Sequence, residues 1–307
     1  MQSSCNPQST LSFTSTQRFI LCTVNRAIRD SVLHLKETTM QHSTVLALAG
    51  LLCFPLSALA ADDTSGNVLT VGAGVAAGSP YAGDDSIRAM PIVVLDYSMA
   101  NGFFASTMRG LGYGGQAGPF SYSVALGYRG ERDDHRRKGL RGLAGSDYLK
   151  GMGKVEGNAS ALLNLSYSPL PGVQLSVASD IPLTHRENGA TVQFGASGQV
   201  YSRKDSRGVP QDSISLGLQA GWGEKKYLQT MYGVTQAQAA RTAFRQYTPK
   251  GGFYEAQASV SWEHRIDARW SLNSVLGVER RLGDAANSPI VQRKHAPMGA
   301  VYATYSY

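Results

Sequence analysis

Met298-Gly-Ala-Val-Tyr-Ala-Thr-Tyr-Ser-Tyr307 closes the chain and decides how the rest is read. One face of this stretch carries Gly299, Val301, Ala303, Tyr305 and Tyr307; the other carries Met298, Ala300, Tyr302, Thr304 and Ser306. Alternation of this kind is the period of a β-strand. An apolar strand with an open edge invites aggregation in water. In a closed barrel the first strand covers that edge and acyl chains solvate the apolar face. Tyr305 and Tyr307 together read as a terminal assembly signal for the machinery that inserts such barrels. The competing reading is the closing strand of a soluble sandwich, and the upstream sequence decides between them.

Period-two segments dominate that sequence. Phe120, Tyr122, Val124, Leu126 and Tyr128 alternate with Ser121, Ser123, Ala125 and Gly127. Ile214, Leu216, Leu218, Ala220 and Trp222 alternate with small or polar residues, as do Tyr254, Ala256, Ala258, Val260 and Trp262. A further run starts at Trp270. The aromatics lie at segment ends, where a membrane barrel carries its interfacial girdles, rather than mid-segment, where a sandwich keeps its core. Weaker segments are Val68–Ala76, Ile92–Ser98, Phe103–Arg109, Asn158–Tyr167, Val173–Ser179, Val192–Tyr201 and Tyr227–Tyr232. The expectation is an all-β transmembrane antiparallel barrel of about 12 strands, with 10 as the alternative. Ala100–Gly102 and Arg265–Ala268 read as periplasmic turns, and Gly233–Gly252 and Leu282–Pro297 as extracellular loops. Strict alternation puts the long charged stretch Gly130–Gly157 on the periplasmic side, unless Tyr227–Tyr232 is loop or a strand hides in Arg141–Val155.

The first sixty residues divide differently. Val45–Leu56 is an apolar run too short to span a bilayer, and Ala58 and Ala60 precede Ala61 as small residues at a cleavage site. Residues 40–60 therefore read as a signal peptide, residues 1–39 as a mis-called start or unstructured extension, and residues 61–307 as the barrel. Cys5, Cys22 and Cys53 all precede Ala61, so the mature chain would cross the periplasm without a cysteine. Four of the 29 basic and two of the 22 acidic residues also precede Ala61, leaving a net charge of +5. Those charges are scattered, which gives nucleic-acid binding no support.

Two loop stretches carry more specific sequence. Tyr232-Gly-Val-Thr-Gln-Ala-Gln-Ala-Ala-Arg241 and Arg281-Leu-Gly-Asp-Ala-Ala-Asn-Ser-Pro-Ile-Val291 resemble the MipA/OmpV family of MltA-interacting outer-membrane proteins. The motif positions are Tyr232, where the family usually has Phe, with Gly233, Val234, Ala239 and Arg241, then Leu282, Gly283, Asp284, Ser288 and Pro289. The resemblance implies a bacterial outer-membrane scaffold linking a lytic murein transglycosylase to a peptidoglycan synthase. It brings no catalytic residues and no cofactor. A porin-like diffusion channel, suggested by the small polar inward face, and a surface adhesin or antigen are the alternatives.

Other clusters carry less chemistry. Asp84-Asp85 and Asp133-Asp134-His135 contain the carboxylates and imidazole that an outer-membrane rim protease uses to activate water. Both lie in loops, where Asp is an ordinary turn former. No histidine after Ala61 has a ligand partner at i+2 or i+4, so no metal site is expected. Arg136, Arg137, Lys138 and Arg141 are the candidates for gripping lipopolysaccharide phosphates or an acidic partner, against a plainly solvated loop. Thr235 stands as the N-cap of a short helix over Gln236–Arg241, suited to a plug or a docking ridge.

Overall fold

A computed structural model describes residues 66–136 and 145–307. The signal-peptide reading with Ala58, Ala60 and Ala61, and Arg137, Lys138 and Arg141 of the basic cluster, lie outside the described residues. Twelve strands form a closed antiparallel barrel in which each strand pairs with its sequence neighbours. They are β1 (Val68–Gly78), β2 (Arg88–Ser98), β3 (Phe103–Ser106), β4 (Gly110–Ala117), β5 (Phe120–Arg129) and β6 (Asn158–Leu170). The second half comprises β7 (Val173–Pro182), β8 (Thr191–Lys204), β9 (Pro210–Gly223), β10 (Gly252–Arg265), β11 (Trp270–Arg281) and β12 (His295–Ser306). Closure is made by β1 against β12, with Val71 opposite Tyr305 and Ala77 opposite Gly299. The last strand has its edge covered by the first, as its alternation requires.

The count of twelve hides two compensating differences. Tyr227–Tyr232 is not a strand; Lys225–Tyr232 forms a helix, α1. Leu228, Met231 and Tyr232 fall at i, i+3 and i+4, one face of a helix, and both Leu228 and Tyr232 are buried. The missing strand is β4, whose inward positions Gly112 and Gly114 leave only Leu111 and Tyr113 to mark the alternation. With β4 in and Tyr227–Tyr232 out, β5 ends and β6 begins at the same end as the other long loops, opposite the short turns. Tyr227–Tyr232 lying outside the strands is the alternative under which residues 130–157 change sides.

The wall is apolar outside. Val124, Leu218 and Val260 are 56%, 63% and 44% exposed, while their neighbours Ser123, Gln219 and Ser259 turn inward and are half-buried. Aromatics ring the turn end as stacked or edge-on pairs: Phe103–Tyr113, Phe120–Tyr167, Trp270–Tyr305 and Tyr305–Tyr307. The inward face is not uniformly polar. Ala76, Ile92, Val94 and Ala300 form a buried apolar cluster with Tyr302 along β12, β1 and β2.

One stretch of wall is short. β3 pairs with β2 only at Asp96, Tyr97 and Ser98. Above them Thr107 caps the open edge of β2: its hydroxyl donates to the Val93 carbonyl and accepts from the Leu95 N–H. Pro91, two residues on along the same edge, brings no N–H to be left unpaired.

Candidate functional site

The long loops fold together over one mouth of the barrel. α1 is the centre of this cap. Its apolar face packs Leu228 and Tyr232 against Tyr254 and Ala285, with Tyr227, Met231, Ala82 and Val291 around them. Tyr254 belongs to the outward set by strict alternation, but a β-bulge between Phe253 and Glu255 turns it into the lumen. Gly189, at φ 72°, lies so close to Lys226 and Tyr227 that any side chain there would collide with the helix backbone.

Charged side chains on the lumen wall hold the helix in place. Arg281 is buried on β11, 2.6 Å from Glu255 and 2.5 Å from Glu279, and donates to the Tyr232 hydroxyl at 3.2 Å. Arg132 donates to the carbonyls of Met231 (2.6 Å) and Thr230 (3.3 Å) at the C-terminal end of α1, where a cation is favoured. Arg129 bonds Asp180 and the Gly189 carbonyl, each at 2.9 Å, and lies over the Tyr227 ring. Burial, reinforced by Glu255, pushes the Tyr227 phenol up to about 12. The Tyr81 and Tyr232 phenols are raised further, again chiefly by burial.

A second apolar cluster sits further out. Tyr81, Leu149, Met152, Val234 and Ile290 come from four separate loops and are buried together, with Ala239, Phe244 and Tyr247 against them. Val234 and Tyr247 exchange both backbone hydrogen bonds. The short helix α2 (Gln236–Ala239) is started by Thr235 in a full capping box. Arg241 Nε donates to the Gly151 carbonyl at 2.6 Å.

The two specific loop motifs meet here. Ser288 Oγ donates to the Tyr232 carbonyl at 2.5 Å across 56 residues of sequence. The Tyr247 hydroxyl donates to the Asp284 carbonyl, and Asp284 Oδ2 accepts the Lys250 N–H. Leu282 donates its N–H to Tyr254, Gly283 takes φ 49° at the start of the short helix α3 (Gly283–Ala286), and Pro289 precedes buried Ile290.

The acidic clusters are loop braces. Asp84 Oδ1 accepts from both the N–H and the hydroxyl of Ser86. Asp134 Oδ2 accepts the N–H groups of Gly151 and Gly153, and its Oδ1 lies 2.5 Å from His135 Nδ1. Although burial opposes it, those contacts hold the Asp134 carboxyl below its ordinary range. Asp133, Asp134 and His135 place three ligand-type atoms within 4.8 Å of one another. Backbone and imidazole contacts already occupy Asp134. Beside this brace, Arg136 gives its N–H to Asp147 at 2.8 Å. Asp147, Tyr148, Lys150, Phe244, Arg245 and Pro289 line an open cavity of about 670 Å³ on the outer surface of the cap.

Residues 71–307 match the family model described as MltA-interacting protein MipA. The chain belongs to the MipA family. The matched span runs from within β1 to the last residue, so it covers the barrel and the whole cap. No curated protein matches the sequence. Among solved structures, the NanC porin aligns over 77% of this chain and 98% of its own at 6% identity and TM-score 0.41. The Neisserial surface protein A aligns over 78% and 96% at 5% identity and TM-score 0.24. An anion-selective porin from Comamonas acidovorans aligns over 78% and 98% at 10% identity and TM-score 0.29. This MipA-family chain is a bacterial outer-membrane β-barrel. Its short turns then lie on the periplasmic side and its cap on the cell surface.

The family motifs mark Tyr232, Val234, Arg241, Asp284 and Ser288, and the structure brings them together in the cap. Arg129, Arg132, Glu255, Glu279 and Arg281 were not singled out as anchors of the cap. For Arg129, Glu255, Glu279 and Arg281 the available signal is an inward charge at a period-two position near a strand's loop end; Arg132 lies beyond β5 and has no such signal.

Proposed function

We propose that this barrel is a non-conducting outer-membrane scaffold that serves periplasmic peptidoglycan enzymes. The carrying observation is the mouth itself: α1 sits in the lumen, tied by buried Arg281 and Arg132 to opposite parts of the wall and loops. A diffusion channel needs an open path, and a packed helix held by charge pairs opposes one. Family membership supports the partners: a lytic transglycosylase on one side and a peptidoglycan synthase on the other. Among the described residues the loop carboxylates Asp84 and Asp134 are taken up by backbone N–H groups, and the family brings no catalytic residues. We read it as a non-enzyme. On this reading the precursor is cut before Ala61, and the assembly machinery reads Tyr305 and Tyr307. Mass spectrometry of the mature protein checks the first point.

Planar-bilayer recording tests the main claim. Purified barrel should give no steady steps, while a variant with α1 removed should conduct. Stable ohmic steps from the unaltered protein would favour the channel instead.

The cap supports a second, compatible role. Tyr148, Phe244 and Pro289 offer apolar surface in the 670 Å³ cavity and Lys150 and Arg245 offer charge, a combination suited to a phosphorylated saccharide such as lipopolysaccharide. Arg136 lies next to it through Asp147. Loss of lipopolysaccharide co-purification in a K150E/R245E variant is the expected result.

A further inference from the structure

The turn side is mostly tight. Links of two to five residues join β2 to β3, β4 to β5, β6 to β7, β8 to β9 and β10 to β11. One hairpin departs from this. β8 makes its last pair with β7 at Gly198 and then continues through Gln199–Lys204. Those six residues add about 20 Å of strand, at roughly 3.3 Å each. Five of them pair with β9 on one side, Val200 falling at a register shift between Gln199 and Tyr201, and all six are exposed, whichever face they point to. After the Gln199 N–H bonds the Gly172 carbonyl, the β7-side edge has no neighbouring strand.

The charge at this tip is one-sided. Arg203 pairs with Asp212 and Arg207 with Asp205, yet the acids are tucked in and the cations stand out. Side-chain exposure is 55% for Arg203 and 82% for Arg207, against 13% for Asp212 and 24% for Asp205. Lys204 is exposed beside them. Val200 and Tyr201, at 59% and 49% exposed, supply an apolar stretch of edge next to the positive tip.

We propose that the Gln199–Lys204 edge of the β8–β9 hairpin is the periplasmic docking strand, taking an extended acidic segment of a partner protein by β-strand addition. This rests on the scaffold reading above. Backbone pairing along an open edge supplies affinity, and side chains flanking it supply selectivity. The positive tip repels the same edge of a second copy, which disfavours self-pairing, and attracts a segment rich in Asp or Glu. Val200 and Tyr201 would add apolar contact to the incoming strand.

The test uses the full-length barrel in nanodiscs with MltA as the probe, measured by biolayer interferometry. The variant is K204E/R207E, which leaves the Arg203–Asp212 pair intact, with a heat-modifiability gel to verify the closed barrel. Expected is a loss of tenfold or more in MltA affinity, larger at low salt. A photocrosslinker at Val200 should capture MltA, whereas one at lipid-facing Val93 should not. If the unaltered barrel binds MltA and the variant binds equally well, the docking strand is wrong and the scaffold stands. If the unaltered barrel does not bind MltA, the scaffold reading fails and the docking strand with it. If binding appears only with anionic lipid in the nanodisc and Val200 crosslinks to lipid alone, the hairpin is a membrane anchor and the proposal is overturned.

Discussion

Arg281 shows why single buried charges matter in this protein. It pairs with both Glu255 and Glu279 on the lumen wall and ties them to Tyr232 of α1. Replacing it with Leu leaves two carboxylates without their cation, a loss on the order of 3–5 kcal/mol for a broken buried pair. R281L should therefore loosen α1, read as a lower unfolding midpoint together with new conductance in planar bilayers. Outward positions behave differently. Arg at Val124, Leu218 or Val260 meets lipid and should cost roughly 2–4 kcal/mol near the midplane, whereas Arg at Ser123, Gln219 or Ser259 should cost little. Urea titrations of the six variants in vesicles check this, and equal tolerance of the two sets would overturn the inward–outward register.

Among the elements, the last strand carries the most consequence. Deleting Tyr305–Tyr307 removes the pairings of Val71 with Tyr305 and Thr70 with Ser306 and leaves β1 groups open at membrane depth, each costing several kcal/mol. The truncated chain should be exported yet fail to insert, giving a soluble or aggregated periplasmic product on fractionation. A closed, heat-modifiable barrel from that variant would contradict this. At the short β3–β4 hairpin the remedy is a side chain, since the Thr107 hydroxyl serves Val93 and Leu95. T107V should destabilise the barrel by about 1–3 kcal/mol, the cost of leaving the Val93 carbonyl and Leu95 N–H unpaired on a lipid-facing edge, as read from its urea midpoint.

For the assembled molecule, the cap and the barrel should respond separately to pH. Tyr227 titrates near 12 instead of the usual 10.0 because burial disfavours its phenolate. A raised folded-state pKa means stability that is complete below about pH 10 and lost as pH climbs through the folded value. Asp134 has the opposite sign: its lowered pKa contributes above the ordinary carboxylate range and is lost as pH falls below about 4. Protease sensitivity of the loops should rise at both extremes while the barrel stays heat-modifiable. The division between wall and cap also separates what could be read early from what could not. Alternation along Phe120–Tyr128, Ser213–Trp222 and Met298–Tyr307 specifies strands with one lipid-facing side, because a two-residue period is local and a bilayer leaves backbone groups no option but closure. Glycine-rich β4 and helical α1 escaped that reading, since Gly carries no pattern and eight residues suit either period. The contact of Ser288 with Tyr232, the inward turn of Tyr254 and the gathering of Tyr81, Leu149, Val234 and Ile290 depend on loops far apart in the chain. Such contacts have no period to betray them; they exist only once the closed wall has brought the loops to one mouth.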